Sequence, residues 1–217
     1  CINIDQTILK LEWVDSASFE YIQKWYAKDK NFVMYKWQIL RDLDGNSFKY
    51  VSDWYIKDKN FVFRVQYGED SLLNPIKIDF LDPKTFSALD YGYVKDKNWV
   101  YYGTQKIEGI NQDEVKIVTD DFIKDSNTVQ YKLKNRDWHL SFKALKEADA
   151  ETFENIVNSS FFKDKNHIYY FYDNGVQIIT WLDTDDIKLL SCYIKDNNNV
   201  FYIHKGKLIH IDWADAQ

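Results

Sequence analysis

Apolar and aromatic positions come in short runs, broken by a polar centre that keeps returning along the chain. The cleanest copy is Tyr93-Val94-Lys95-Asp96-Lys97-Asn98-Trp99-Val100-Tyr101-Tyr102, which predicts a strand, a tight turn and a second strand. Five more copies place the Asp at 29, 58, 125, 164 and 196. An aromatic stands three residues before each Asp: Tyr26, Tyr55, Tyr93, Phe122, Phe161 and Tyr193. Lys always comes directly before the Asp, Asn two residues after, and Val or Ile four after. An Asp side chain can accept the amide two residues on, and Asn tolerates left-handed backbone. With only 7 Gly and 2 Pro in the chain, Asp and Asn are expected to carry most reversals of direction.

The pattern between copies predicts three strands and one short helical piece per unit. The first unit opens with the alternating run Ile8 to Val14, followed by an Asp15 N-cap with Phe19 and Ile22 on one helical face. Later helical pieces are expected to start at Asp44, Asp82, Asn111, Asp149 and Asp183, with Pro83 at a first helical position. Phe19, Phe48, Phe86, Val115, Phe153 and Ile187 then share one slot and should anchor this piece on the sheet. Asp173-Asn174-Gly175 and Lys205-Gly206 read as two-residue hairpin turns.

The repeats make a single array over residues 1–217. Its units run approximately 7–37, 38–64, 76–102, 105–131, 142–170 and 176–202, with a terminal half-unit at 207–217. Asp-to-Asp spacings of 29, 38, 29, 39 and 32 residues put extra length into two hairpin arms, about Arg64 to Ile78 and Gln130 to Leu145. Ile211-Asp212-Trp213 matches the opening strand Leu11-Glu12-Trp13, which adds one strand of this kind to the six units. The expected fold is mainly β: an open, elongated tandem-repeat antiparallel β array, with a β-propeller-like ring as the alternative.

The run Asp96-Lys97-Asn98-Trp99-Val100-Tyr101-Tyr102, with Asp164 to Tyr170 close behind it, resembles the repeat of the bacterial DKNYY family. A second family element appears as Asp82-Pro83-Lys84-Thr85-Phe86 and again as Asp149-Ala150-Glu151-Thr152-Phe153. The resemblance covers nearly the whole chain and implies a scaffold without catalytic residues. The fourth unit departs most, with Ser126 and Thr128 in the turn and Gln130 where an aromatic belongs.

A net charge of −6, from 34 acidic and 28 basic residues, speaks against a nucleic-acid partner. No apolar run reaches the length of about eighteen residues that spans a membrane. Cys1 fits the lipid-bearing N-terminal Cys of a processed bacterial lipoprotein, periplasmic or outer-membrane; the alternative is a chain boundary that happens to fall at Cys. The four His lack the spacing of a zinc site, and Asp42-x-Asp44-x-Asn46 lacks the later Glu of a calcium loop, so no metal or cofactor is expected. No nucleophile, base or phosphate-loop constellation points to an enzyme.

What recurs six times is scaffold; what occurs once is free to be function. The unique groups Arg64 and Tyr67 in one arm, and Arg136, Trp138 and His139 in the other, are therefore the expected partner-binding residues. The expected role is non-enzymatic protein binding in the bacterial cell envelope, in its most concrete form an immunity protein that neutralises a secreted antibacterial toxin. The alternative is a structural or surface-attachment protein that binds glycans through exposed aromatics.

Overall fold

In a computed structural model the residues described are 14–68, 72–134, 140–156, 159–204 and 206–211. Strands form wherever the three-residue apolar runs lie, because two such runs joined by Lys-Asp-Lys-Asn fold back on each other in register. The first sheet is β1 (Glu20–Gln23), β2 (Tyr26–Lys28), β3 (Val33–Tyr35) and β4 (Gln38–Leu40), paired antiparallel in chain order. The second repeats it with β5 (Lys49–Ser52), β6 (Tyr55–Lys57), β7 (Val62–Arg64) and β8 (Ile76–Ile78). Altogether the strands make six four-stranded antiparallel sheets, none closed into a barrel. The fold is a β-repeat array.

Each sheet thus holds four strands rather than the expected three. The run expected to open the next unit is the fourth strand of the preceding sheet, as Gln38–Leu40 shows by pairing with Val33–Tyr35. Units of this length accommodate four strands because each strand is only two to six residues long. The expected helical pieces are single turns. Ser18 donates its amide to the Asp15 carbonyl and Ser47 to that of Asp44, both at 3.2 Å, and the chain then enters β1 or β5 directly. Pairing with the neighbouring strand wins over a second helical turn, which would have had no nucleus of its own. The sole helical element described is one 3-10 turn at Asp90–Gly92.

The chain divides into two compact units, residues 1–88 and 89–217. In the first, successive sheets face each other and share a core. Tyr26, Val33, Tyr35 and Leu40 of the first sheet meet Ile56 and Phe63 of the second. Neighbouring positions on a strand point to opposite faces, so Ile56 looks back into this core while Tyr55 looks forward to the Phe86 ring at 5.4 Å. Sheets pack about 10 Å apart, and the ring three residues before each Asp is large enough to bridge that gap.

The second unit opens with β10 (Tyr93–Lys95), β11 (Val100–Tyr102) and β12 (Gln105–Ile107), following β9 (Ser87–Ala88) in the chain. Three full sheets follow. They are β13 (Lys116–Ile117) to β16 (Leu140–Ala144), β17 (Glu154–Asn155) to β20 (Gly175–Ile179), and β21 (Lys188–Leu190) to β24 (Lys207–His210). The alternation recurs: Phe122 packs against Phe153 and Phe162, and Phe161 packs in the core that contains Ile194 and Phe201. The slot residues Phe48, Phe86 and Phe153 are buried, and Val115 and Ile187 pack on cores; Phe19 is exposed. The Asp173-Asn174 turn is as expected, with φ of 49° and 59° at its two residues.

Candidate functional site

Every sheet has two chemically different ends. At one end lies the Asp-Lys-Asn turn; at the other, the hairpin turns join the first strand to the second and the third to the fourth.

The turn end is a polar latch that the repeat exists to hold. Asp29 Oδ1 accepts the amides of Asn31 and Phe32, both at 2.7 Å, while its Oδ2 accepts the amide of Asp15 at 2.9 Å, fourteen residues away. Asp58, Asp125, Asp164 and Asp196 make the same three bonds, with the far amide coming from Asp44, Asn111, Asp149 and Asp183. The motif Asp thus ties two turns together, one of them its own. None of the motif's Asn residues has positive φ, so the left-handed role expected for Asn is not used. The Asp carboxylate alone gathers the amides that close the turn.

Electrostatics reinforce the latch. Burial pushes the Asp29 carboxyl up, but the amides of Asp15, Asn31 and Phe32 outweigh it and hold it below the ordinary carboxylate value. Lys165 stands 2.6 Å from Asp149, and this bond, with those from Thr152, holds the Asp149 carboxyl down at about 2. Lys59 pairs with Asp44 in the same way at 2.6 Å. The invariant Lys before each motif Asp has a separate task. Lys57 Nζ donates to the carbonyl of Pro83 at 2.8 Å, Lys95 to that of Gln112 at 2.8 Å, and Lys124 to that of Phe153 at 2.6 Å. Each of these reaches the polar turn that opens the next repeat.

The hairpin end of unit 1 is aromatic and open to solvent. Trp25 and Trp37 lie in the two hairpin turns of the first sheet, linked by the Lys36 amide on the Trp25 carbonyl at 2.9 Å. Trp54 holds the Trp25 position in the second sheet, with the Val65 amide on its carbonyl at 2.8 Å. All three indoles are more than 60 % exposed. Beneath them lie Tyr26, Tyr35 and Tyr50, whose rings are 5.0 and 5.7 Å from Tyr26. Burial first, then the neighbouring phenols, pushes the Tyr26 hydroxyl well above its ordinary value, and this buried hydroxyl has no hydrogen-bond partner among the described residues. Tyr50 donates to Asp53 Oδ1 at 2.5 Å, and that bond is the main force holding the Asp53 carboxyl down.

Of the expected partner-binding residues, Arg64 and Tyr67 fall at this same end, and both are exposed. Tyr67 lies 6.1 Å from the Tyr35 ring, and Arg64 directly precedes Val65. Their arm does not project freely. Gln38 donates to the Leu73 carbonyl at 2.7 Å and accepts the Leu73 amide at 2.8 Å, and Leu73 is buried in the core of unit 1. Arg136, Trp138, His139 and Cys1 lie outside the described residues. Sequence reasoning missed Trp25, Trp37 and Trp54. Aligning the repeats would have exposed two of them: the position before each motif aromatic is Trp25, Trp54, Gly92, Asp121, Ser160 or Cys192, a set that no buried site would accept.

In unit 2 the fourth repeat, the most divergent in sequence, buries polar groups. Gln130 donates to the Glu108 carbonyl at 2.7 Å. Lys132, with a fully buried side chain, pairs with Asp120 at 2.7 Å beneath a cleft of about 450 Å³. Among the described residues no group of three or more His, Cys, Asp or Glu is arranged to hold a metal ion, and no helix is long and apolar enough to cross a membrane.

Six meandering sheets with a repeated Asp latch define a tandem-repeat β protein. The family model described as the DKNYY family matches residues 5–67 and 65–205, and the chain belongs to that family. No curated protein and no solved structure matches it.

Proposed function

We propose that the chain is a non-enzymatic binding protein that grips a protein partner with the hairpin end of unit 1. The observation that carries this reading is the exposure of Trp25, Trp37 and Trp54 on adjacent turns, beside exposed Tyr67 and Arg64. Exposed indoles cost solubility and add nothing to a core, whereas Trp, Tyr and Arg are the side chains that dominate binding hot spots. The Lys24–Asp53 ion pair at 3.5 Å brings the Trp25 and Trp54 turns together, and the Gln38–Leu73 pair stiffens the arm beside them. A rigid aromatic surface binds with little loss of freedom. An envelope location through a lipid on Cys1, and a secreted antibacterial toxin as the partner, belong to the same proposal.

The test is a pull-down with the mature protein, followed by titration of the captured partner, beginning with products of neighbouring genes. Trp25→Ala and Trp54→Ala should each weaken binding about 10- to 100-fold, the loss of a hot-spot side chain, with the melting temperature unchanged. Normal binding by both variants would overturn the assignment, as would capture of glycans with no protein.

A further inference from the structure

We propose that unit 2 carries a second site, one for an organic ammonium ion, in the cleft above Lys132. The position of Lys132 is occupied in other repeats by Lys36, Val65, Gly103, Phe171 and Ile203, and Lys36 is exposed, so the scaffold does not require a buried charge there. A buried ammonium persists only when it is paired. Asp120 Oδ1 supplies the pair at 2.7 Å, and Lys132 also donates to the Tyr102 hydroxyl at 3.3 Å while sitting 4.3 Å from that ring. Asp120 is itself fixed, with Tyr93 donating to its carbonyl at 2.9 Å and Tyr102 to its Oδ1 at 3.4 Å.

Two carboxylates therefore face one lysine, Asp120 closely and Asp121 more loosely, and one negative charge is left uncompensated. Asp121 lies 3.7 Å from Lys132, and its side chain is 40 % exposed. Its backbone is held at both ends: its amide donates to Thr119 Oγ1 at 3.3 Å, and its carbonyl accepts the Lys132 amide at 2.8 Å. With the buried Lys132 beneath them, Asp120 and Asp121 in the cleft lining carry one net negative charge.

The rest of the lining asks for a donor. Asn155 spends its amide group on the carbonyls of Ser159 at 2.8 Å and Phe161 at 3.0 Å, which leaves its oxygen as the group available to a ligand. The Ser159 hydroxyl gives its proton to the Ile156 carbonyl at 2.6 Å. Among the described residues no Lys or Arg lines the cleft, whereas Tyr91 and Phe171 do. Ring faces attract a cation that carries its charge on an organic group, and two carboxylates with no third acidic or His ligand among the described residues suit a metal ion poorly. A cleft of about 450 Å³ is the right size for a small ligand. The ammonium can come from a free amine or from a lysine side chain of a bound protein.

The test is an amide-resolved NMR titration of the full chain. One arm uses n-butylammonium chloride, a second a short lysine-bearing peptide, and the control is n-butanol at matched ionic strength. Saturable shifts at the amides of Asp121 and Ser160 with the cations, and none with butanol, are expected. A tighter fit for the peptide assigns the site to a partner's lysine; an equal or tighter fit for the amine assigns it to a free ligand. Asp121→Asn should weaken binding about tenfold. Lys132→Met, which replaces the buried charge with an apolar chain as Val65, Phe171 and Ile203 do in their repeats, should strengthen it several-fold by leaving both carboxylates uncompensated. No saturable shift, equal shifts with butanol, or unchanged binding in Asp121→Asn would each overturn the proposal. So would weaker binding in a folded Lys132→Met protein.

Discussion

Replacing the motif Asp of the second sheet tests whether the latch holds the fold. Asp58 accepts amides from Asp44 at 2.9 Å, Asn60 at 2.7 Å and Phe61 at 2.8 Å, and is buried. A hydrogen bond to a charged group contributes about 1.5–3 kcal/mol, and each orphaned buried donor costs about 1–3 kcal/mol. Water will reach part of the vacated space, and removing a buried carboxylate recovers some desolvation cost, so Asp58→Ala should cost about 3–4 kcal/mol in all. Asp58→Asn keeps one oxygen for Asn60 and Phe61 but turns an amide group toward the Asp44 N–H, donor against donor, at about 2 kcal/mol. Asp44→Ala removes the bonds from the Asn46 amide and the Ser47 hydroxyl and an ion pair with Lys59 that is open to solvent, at about 1 kcal/mol. Urea unfolding followed by circular dichroism should therefore rank the three variants in that order. If Asp58→Ala is no more costly than Asp44→Ala, the bond between the two turns does not support the fold and the latch has been misread.

Three further outcomes follow from the same geometry. Lys57→Met loses the bond to the Pro83 carbonyl and should lower stability by about 1 kcal/mol in the same urea assay, since water can rehydrate that carbonyl. Stability should fall in acid: the carboxyls of Asp29, Asp149 and Asp196 are all lowered in the folded state, so the unfolded chain binds more protons there. Their contribution is complete above the ordinary value of 3.8 and is lost as pH drops toward about 2, the value for Asp149; thermal melts across that window should show the decline. Gly45→Ala should destabilise unit 1, because a Cβ there would meet the Asp29 carbonyl oxygen and crowd Phe32 at 3.0 Å; an unchanged melting temperature would show that the two turns can separate freely.

Strand, turn and strand were legible because the aromatic, the Asp and the Val or Ile sit at fixed offsets whatever lies between repeats. The fourth strand was misassigned because Gln38–Leu40 reads equally well as the end of one unit or the start of the next; pairing with Val33–Tyr35 decides it. The supposed helices were misread because Phe19 and Ile22 fit a helical period over four residues, too short a span to separate helix from a turn followed by a strand. The latch was half visible. Local caps at Asp15 and Asp29 follow from residue type, but the bond from the Asp15 amide to Asp29 crosses fourteen residues and depends on the sheet being formed. In the candidate site, Arg64 and Tyr67 stand out in the sequence because they do not recur, while Trp25 and Trp54 each adjoin a motif aromatic and nothing local separates them from it.

The division of labour between the two ends follows from how fully each is committed. At the turn end, five motif Asp residues each accept two local amides and one distant amide, and Lys57, Lys95 and Lys124 are spent on backbone carbonyls. A new side chain there must displace a bond that holds two turns together. At the hairpin end the scaffold asks only for backbone: the carbonyls of Trp25, Trp54, Asp121, Ser160 and Cys192 each accept one amide from the neighbouring strand, whatever the side chain. Indole, carboxylate, hydroxyl and thiol all serve at that one position. The side chain is therefore free to vary from repeat to repeat, and the chain has used that freedom differently in its two units. Unit 1 presents indoles, suited to a protein surface, and unit 2 presents carboxylates over a buried lysine, suited to a cation.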